Sequence, residues 1–505
     1  MSVADLRRAC REYATRFIDI QRAQFKRLGV MGDWSEPYLT MDYRYQAAIV
    51  RALGRFVERG MVYKGKKPVH WCIRCRTALA EAEVEYENHT SPSIYVEFPL
   101  SDAGAAELGG RVPALSGAAV SALIWTTTPW TIPSNLALAF HPDAMYGAYA
   151  VDGRFMVVAE ALADSLSATL GRPLADPVAR VPGTAFEGLR FRHPLYARDS
   201  MGVLAGYVTL DTGTGVVHSS PAYGVEDFDS CRRAGMKNDE ILTPVQGNGR
   251  FAESLPFFGG MKIWDANPKV VEKIREADAL FHAEKFTHSY MHCWRHKTPV
   301  IYRATTQWFA GMDDVPGFGG RKPARSLRSL ALAGIEATAF FPPWGKSRLY
   351  SMIANRPDWT LSRQRQWGVP MPFFVHRETG ALHPRTADIL EQVAKRVEQS
   401  GIEAWQAVTA DEMLGAEDAR VYEKARDTLD VWFDSGSTHQ TVMGGPDGRR
   451  TGAGSHPADT AFPADLYLEG SDQHRGWFHS SLLVSCMLNG RPPYQGLLTH
   501  GFTVD

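Results

Sequence analysis

The chain is poor in cysteine and has no long hydrophobic run. It has 6 cysteines among 505 residues, too few for the disulfide framework of a secreted scaffold, so reduced thiols are expected. No stretch approaches the roughly 20 apolar residues that a membrane span requires. The charged residues 1–8 are not followed by the apolar core of a signal peptide. We therefore expect a cytoplasmic protein without a membrane partner.

The chain also lacks an excess of charge of either sign. Its formal net charge is -1, from 55 basic and 56 acidic residues, so the protein as a whole does not attract nucleic acid. Any contact with RNA must come from a local patch. One basic run consists of Lys64, Lys66, Lys67, Arg74 and Arg76. A solvated surface is the more usual explanation of such a run.

Hydrophobic spacing divides the chain into regions of different character. A hydrophobic fraction of 44% over 505 residues is enough for two to four domains. Apolar residues recur at helical spacing over residues 6–28 and 45–56, which predicts two amphipathic helices. After residue 300 the pattern alternates between helix and strand, with a buried strand predicted at 465–470 and a helix at 476–488.

Residues 90–290 have the pattern of short alternating strands, which predicts a compact, barrel-like β-rich insert. Asp152-Gly153 is a strong hairpin signal between two of these strands. The predicted strands are 93–98, 120–126, 146–151, 154–159, 206–210 and 215–218. Two glycine-rich segments, 103–119 and 444–458, are predicted as surface loops.

Two short cysteine motifs have the spacing of zinc knuckles. Cys72-Ile73-Arg74-Cys75 lets two sulfurs reach one tetrahedral metal ion, and Cys293-Trp294-Arg295-His296 repeats that spacing far downstream. Together Cys72, Cys75, Cys293 and His296 predict one structural zinc site. His292 is a competing ligand, and a metal-free remnant of the same two turns is an equal alternative.

The most informative string is residues 125–135, Trp-Thr-Thr-Thr-Pro-Trp-Thr-Ile-Pro-Ser-Asn. It follows the β-prone residues 120–124, so its hydroxyl groups are expected where a strand ends in a rigid turn, at the mouth of a pocket. A generic threonine run would more often be a strand end without function. The complete string instead favours a functional site.

This string resembles the editing-site signature of isoleucyl-tRNA synthetase, a class I aminoacyl-tRNA synthetase, and the resemblance covers nearly the full chain. Valyl and leucyl relatives usually have Thr-Thr-Arg-Pro here, whereas this chain has Thr128-Pro129-Trp130. The isoleucine type is therefore favoured, with a valyl-type relative as an alternative.

The resemblance implies five editing residues. Asp227 would hold the ammonium group of a misattached amino acid. Thr127, Thr128 and Asn135 would position the ester and a hydrolytic water, and His218 would exclude the extra methylene of isoleucine. Such a methylene gives about 1–3 kcal/mol of discrimination, a magnitude known for this very class of enzyme, so a second hydrolytic sieve is needed. In isolation His218 and Asp227 would indicate only a capped loop and a surface carboxylate.

Three downstream strings resemble the synthetic half of the family: 355–370, 430–437 and 469–474. Residues 471–474 lie between a predicted strand and a predicted helix, where open α/β sheets bind their ligands. The resemblance implies that aminoacyl-adenylate is bound by Trp432, Glu469, Gly470, Asp472 and Gln473. Carboxylate and amide acceptors suit the ribose hydroxyls.

The resemblance implies an α/β fold, an incomplete Rossmann-type class I catalytic domain with an inserted β-barrel-like editing domain. Residues 1–85 would hold linking helices and the first knuckle, 86–290 the editing domain, and 291–505 the second knuckle and the return into the catalytic domain, truncated before the lysine loop. Neither a His-x-Gly-His nor a Lys-Met-Ser-Lys-Ser string occurs. We therefore expect a fragment that cannot form adenylate alone, because that chemistry depends on positioning and charge stabilisation.

The implied function is that of an isoleucine–tRNA ligase with hydrolytic editing of Val-tRNA. Its implied partners are isoleucine, its tRNA and ATP with Mg, and the intact enzyme would be monomeric. A freestanding aminoacyl-tRNA deacylase is an alternative. A zinc-dependent RNA-binding module is another, although binding alone would not require the threonines, His218 or Asp227.

Overall fold

The computed structural model describes residues 2–174, 176–443, 462–502 and 504. The chain forms two compact units, the first made of Met1–Gly65, Ala78–Ala82 and Thr306–Asp505, the second of Lys66–Thr77 and Glu83–Thr305. The predicted loop 444–458 lies outside the described residues. No helix in the described part of the chain is both long and apolar enough to cross a membrane.

The helices are α1 (Val3–Arg27), α2 (Tyr43–Glu58), α3 (Asp102–Arg111), α4 (Ala163–Leu170), α5 (Val225–Arg233), α6 (Ile263–Glu276), α7 (Leu327–Glu336), α8 (Trp344–Ala354), α9 (Thr386–Ser400), α10 (Glu403–Ala407), α11 (Ala410–Leu414), α12 (Asp418–Val421), α13 (Val431–Gly436), α14 (Thr438–Thr441) and α15 (Trp477–Asn489).

The strands are β1 (Val62–Cys72), β2 (Thr77–Ala78), β3 (Val84–Pro99), β4 (Val120–Thr126), β5 (Ala137–Phe140), β6 (Met145–Val151), β7 (Arg154–Ala159), β8 (Ala179–Pro182), β9 (Arg190–Arg192), β10 (Asp199–Leu204), β11 (Val216–Ser219), β12 (Leu280–Cys293), β13 (Ile301–Ala310), β14 (Ala339–Phe341), β15 (Trp359–Thr360), β16 (Ser362–Arg363), β17 (Phe374–His376), β18 (Tyr422–Lys424), β19 (Thr428–Leu429), β20 (Ala464–Gly470) and β21 (Tyr494–His500).

The two predicted N-terminal helices are confirmed as α1 and α2. Ser2 caps α1 by accepting a hydrogen bond from the Asp5 N–H, and Asp42 caps α2 by accepting from the Arg44 N–H. The inner face of α2 belongs to the core of the first unit, where Phe56 meets Phe433 edge to face at 5.1 Å. These contacts use the apolar positions that predicted the helix.

The second unit is built on a mixed sheet with the strand order β8-β6-β7-β4-β11-β5-β10-β9, to which β3 and β12 add. β4 is parallel to both β7 and β11, and β5 is antiparallel to β11. The β6–β7 hairpin is confirmed: Asp152 and Gly153 have φ values of 50° and 80°, as a type I′ turn requires. The predicted β-rich insert is thus present, and the α/β fold class is confirmed.

Two predictions in the second unit are wrong. Residues 206–210 form no strand; β10 ends at Leu204, and a turn follows in which the Val208 N–H donates to the Ala205 carbonyl. The predicted loop 103–119 contains α3 instead. Its alanines favour a helix, and Gly104 fits because a Cβ there would lie 2.5 Å from the Arg190 carbonyl oxygen.

The first unit contains a parallel sheet with the order β14-β21-β20 among the described residues. Tyr467 on β20 stacks against Trp477 of α15 at 4.1 Å. The strand predicted at 465–470 is present as β20, but its predicted burial is wrong: Leu466 and Leu468 are 43% and 54% exposed, whereas Tyr467 is 4% exposed. The physical reason is position, since β20 is the last strand of this sheet and only the face that carries Tyr467 is packed against a helix.

Candidate functional sites

The threonine string lies at the end of β4, in the second unit. The strand ends at Thr126, whose hydroxyl accepts a hydrogen bond from the Thr128 N–H at 3.1 Å. A 3-10 turn follows over Pro129–Ser134, and the Thr131 N–H donates to the Thr128 carbonyl at 2.9 Å. The prolines and these side-chain contacts end the strand and hold the hydroxyl groups in a rigid turn.

His218, on β11, is held at both ring nitrogens. Its Nδ1 lies 2.7 Å from Nδ2 of Asn135, and its Nε2 lies 2.8 Å from Oγ1 of Thr131. The Asn135 amide is oriented by Ser200, which donates to its oxygen, and by the Ala137 carbonyl, which accepts from its nitrogen at 2.9 Å. Since that nitrogen can only donate, Nδ1 of His218 accepts and Nε2 carries the hydrogen.

The imidazole of His218 is therefore neutral and immobile. Burial lowers the pKa of His218 to about 3, because no opposite charge compensates an imidazolium there. Both ring nitrogens are engaged, so the ring cannot rotate without losing two hydrogen bonds. The group is suited to act as an uncharged wall, and it has no free lone pair for general-base catalysis.

Asp227 lies in the first turn of α5, where the helix dipole favours a negative charge. Its Oδ1 accepts a hydrogen bond from the Tyr207 hydroxyl at 3.0 Å, and its Oδ2 accepts from the Ser220 N–H at 2.8 Å. Burial nevertheless raises the pKa of Asp227 to about 6. At neutral pH the carboxylate is mostly charged and can bind a cation.

Ser220 links the carboxylate to the threonine turn. Its N–H donates to Asp227, and its hydroxyl donates to the Thr131 carbonyl at 3.0 Å. Thr128 joins this hydrogen-bond network through its Oγ1, which lies 3.3 Å from Oγ1 of Thr131. Thr127 is half-buried, and its side chain makes no hydrogen bond within the described residues. Its hydroxyl is therefore available to a ligand.

Several members of this network escaped the sequence analysis. Thr131 belongs to the recognised string and could have been singled out from it. Tyr207 was concealed because residues 206–210 were predicted as a strand. Ser200 lies 65 residues from Asn135 in the sequence, and no local pattern marks it. The structure thus joins Asn135 and His218 to side chains that only the fold brings near.

Four of the five predicted adenylate residues, Glu469, Gly470, Asp472 and Gln473, lie at the β20–α15 junction of the first unit. Oε2 of Glu469 accepts from the Gly470 N–H at 3.1 Å. The Gln473 amide nitrogen donates to Asp472 at 2.9 Å, and its oxygen accepts from the Trp477 N–H at 2.8 Å, at the start of α15. Glu469 and Asp472 are exposed. Their carboxylates are free to accept hydrogen bonds from a polar ligand.

Trp432 lines a separate small cavity in the same unit. The cavity has a volume of about 10 Å³, and its lining includes Arg356, Gly476 and His479 but none of the other four predicted adenylate residues. The indole Nε1 of Trp432, both ring nitrogens of His479 and Nε of Arg356 are buried without a hydrogen-bond partner in the described part of the chain. Such groups are rarely left unsatisfied, and this space holds one water at most.

The two cysteine motifs form matching turns in the second unit. The Arg76 N–H donates to the Cys72 carbonyl and the Lys297 N–H to the Cys293 carbonyl, each at 2.7 Å. Arg76 and Lys297 have φ values of 54° and 51°. In addition, the Cys75 N–H donates to the Cys72 sulfur at 3.3 Å. Each motif thus folds as the knuckle that its spacing predicted.

Three sulfurs, those of Cys72, Cys75 and Cys293, lie within 4.8 Å of one another. Burial raises the pKa of the Cys72 thiol and raises that of Cys75 to about 12, so these thiols are protonated unless a cation replaces the protons. Neither His296 nor His292 belongs to the group. The donor set fits a thiophilic metal at three of the four positions that zinc requires.

A family model and the curated relatives of this chain agree on one protein family. The family model of tRNA synthetases class I (I, L, M and V) matches residues 1–505. An isoleucine–tRNA ligase of Bordetella pertussis is 58% identical over 100% of this chain and 53% of its own length. A second, from Burkholderia multivorans, is 58% identical over 100% of this chain and 52% of its own length. The chain thus spans about half the length of the curated relatives it matches.

A solved structure gives a weaker likeness. The ternary complex of Agrobacterium radiobacter K84 LeuRS with tRNA and LeuAMS is 15% identical, covers 100% of this chain and 58% of that chain, and has a TM-score of 0.35. A TM-score this low supports no inference. The match of the family model over the whole sequence is sufficient by itself: the chain belongs to the class I tRNA synthetases of the I, L, M and V group.

Proposed function

We propose that the chain is part of an isoleucine–tRNA ligase, which attaches isoleucine to its tRNA using ATP and hydrolyses Val-tRNA at a separate site. The relatives at 58% identity are named isoleucine–tRNA ligase. The observation that carries the editing part is the doubly hydrogen-bonded His218, linked through Thr131 and Ser220 to Asp227.

In this proposal Asp227 binds the ammonium group of the misattached amino acid. A carboxylate beside an ammonium group forms a charge-assisted hydrogen bond, stronger than a neutral one. Tyr207 and Ser220 hold the carboxylate in one orientation by engaging both of its oxygens. The amino acid is thereby fixed at its α-carbon end, and its side chain must fit the space that remains.

His218 then acts as the size sieve. A sieve that separates side chains differing by one methylene needs a rigid wall. The His218 ring is rigid because both of its nitrogens are hydrogen-bonded. Valine and smaller side chains would enter for hydrolysis, whereas isoleucine would be excluded.

Hydrolysis transfers the acyl group from the tRNA ribose oxygen to water, and the ribose hydroxyl receives the proton that water loses. With His218 neutral and its lone pair engaged, the roles left to the chain are binding and orientation. The Thr127 and Thr128 hydroxyls would position the ester and the water. The buried Asn135 amide, which was predicted to share this role, would act through His218, because its nitrogen and its oxygen are already engaged within the protein. Orientation of this kind supplies a large part of many rate enhancements.

For the synthetic reaction we propose that Glu469, Gly470, Asp472, Gln473 and Trp432 contact aminoacyl-adenylate. The exposed carboxylates and the Gln473 amide suit ribose hydroxyls. The unsatisfied groups around Trp432 support one bound water there, because the cavity of about 10 Å³ has no room for more. ATP, with Mg neutralising its phosphates, would supply the activated phosphate in the intact enzyme.

We further propose a structural zinc ion held by Cys72, Cys75, Cys293 and His296. His296 occupies in the second knuckle the place that Cys75 occupies in the first. A bound zinc ion would hold the two knuckles together. The domain division at 86 and 290, a cytoplasmic location and a monomeric intact enzyme also remain proposals.

A freestanding aminoacyl-tRNA deacylase is a second candidate. One observation favours it: all five proposed editing residues lie within the segment Glu83–Thr305 of one compact unit. Deacylation would then not need the rest of a synthetase.

The test is hydrolysis of valine-charged isoleucine tRNA by the full chain, with Asp227→Asn as the variant and Asp211→Asn as a matched exposed carboxylate. The proposal expects hydrolysis by the wild type and by Asp211→Asn, and its loss in Asp227→Asn. Absence of hydrolysis by the folded wild-type chain would contradict an editing site that works without the remainder of the protein.

A further inference from the structure

A groove of about 720 Å³ lies in the first unit, outside every site described above. Its walls come from the end of α2, from the loop 320–325 and from the end of α15. Leu330, Met487 and Cys486 contribute an apolar lining. A volume in the range of roughly 300–1,000 Å³ is typical of sites for small organic ligands.

The polar lining of the groove is strongly cationic. Arg59, Arg321, Lys322 and Arg325 face a single acidic residue, Glu58. The chain as a whole has a net charge of -1, so this excess is local. A concave, low-dielectric surface with charges of one sign concentrates ligands of the opposite sign.

These cations differ in how many hydrogen bonds and ion pairs they already make within the protein. The Arg59 guanidinium donates to the carbonyls of Met487 and Leu488, and Lys322 pairs with Asp314 at 3.6 Å. The Arg321 guanidinium makes no hydrogen bond or ion pair within the described residues. It is the cation most available to an anion.

The loop that carries Arg321 is held in place. The Arg321 N–H donates to the Phe318 carbonyl at 2.9 Å, and the Arg321 carbonyl accepts from the Phe318 N–H at 3.0 Å. Gly60, just after α2, packs so closely that a Cβ there would collide with the Arg321 carbonyl. The backbone position of Arg321 is therefore fixed, so that binding has to order only its exposed side chain.

From these observations we propose that the groove binds a small phosphate-bearing molecule of mononucleotide size. The phosphate contacts Arg321 and Lys322, and the apolar body of the ligand lies against Leu330 and Met487. An arginine fork binds two phosphate oxygens at once, and such charge-assisted bonds are the strong ones. This site is independent of the proposed editing and ligase activities.

The test is calorimetric titration of the full chain with a nucleoside monophosphate, with the corresponding nucleoside as the phosphate-free probe. The variant is Arg321→Gln combined with Lys322→Gln. The control is Lys395→Gln combined with Arg426→Gln, which removes two exposed cations of the same unit outside the groove. We expect at least about tenfold weaker binding in the groove variant, or about 1.4 kcal/mol, and no change in the control.

A second variant, Ala324→Trp, fills the groove without changing its charge and should also abolish binding; circular dichroism verifies the fold of each variant. Equal binding of the nucleoside would overturn the proposal. So would unchanged affinity in both groove variants, or nucleotide binding that only Glu469→Gln removes. A short single-stranded RNA that binds where the mononucleotide does not would overturn the assignment to a small molecule.

Discussion

Oγ1 of Thr131 lies 2.8 Å from Nε2 of His218, and this contact, with Asn135 on the other ring nitrogen, determines the tautomer of a buried imidazole. The two residues are 87 positions apart in the sequence. β11 and the turn after β4 bring them together. The predictions for the proposed editing site depend on this arrangement.

Thr131→Val should destabilise the second unit. The substitution keeps the shape of the side chain but removes the acceptor for the Nε2 hydrogen of His218, and an unsatisfied buried donor costs about 1–3 kcal/mol. Urea denaturation followed by tryptophan fluorescence would measure the fall in the free energy of unfolding. Thr287→Val, on the exposed surface of β12, is the matched control and should change it little. Equal effects of both substitutions would contradict the role of Thr131.

Hydrolysis of Val-tRNA should depend on the ionisation of Asp227. Because burial raises the pKa of this carboxyl to about 6, the charged form that binds ammonium is lost as the pH falls through 6. The single-turnover hydrolysis rate should therefore rise with pH, with an apparent pKa near 6, and level off above it. A rate that stays constant between pH 5 and pH 7 would contradict ammonium binding by this carboxylate.

Tyr207→Phe should shift the rise of the hydrolysis rate with pH to higher pH. The Tyr207 hydroxyl donates to Asp227 at 3.0 Å and lowers the pKa of the carboxyl, so its removal raises that pKa. The rate on the high-pH plateau should be retained, which distinguishes a positioning role from simple damage. Tyr196→Phe removes a hydroxyl that donates to the Pro256 carbonyl and should leave the pH profile unchanged.

The zinc proposal is tested by metal analysis of the purified chain. We expect about one zinc ion per chain, lost in Cys293→Ser because three thiolates and one imidazole complete a tetrahedral site. His296→Ala should also lower zinc retention in the presence of a chelator, whereas His292→Ala should not. A wild-type chain without zinc, or loss only in His292→Ala, would contradict the assigned ligands.

The sequence predicted best where local chemistry determines the structure. The helix patterns, the Asp152-Gly153 turn and the two knuckles follow from spacing and turn residues, and all three are present. Burial of the strand at 465–470 could not be predicted, because it depends on how many strands lie beside β20. The contacts of Tyr207 and Ser200 depend on strand pairing across long separations, which periodicity does not encode.

The most direct test of the editing account is a comparison of valine-charged and isoleucine-charged isoleucine tRNA as substrates for the wild type and for His218→Ala. The account predicts that the wild-type chain hydrolyses the valine ester faster than the isoleucine ester, by the roughly 10–200-fold expected for one methylene. In His218→Ala, isoleucine release should rise and the preference should largely disappear. A folded variant that keeps the full preference for valine would show that His218 is not the sieve.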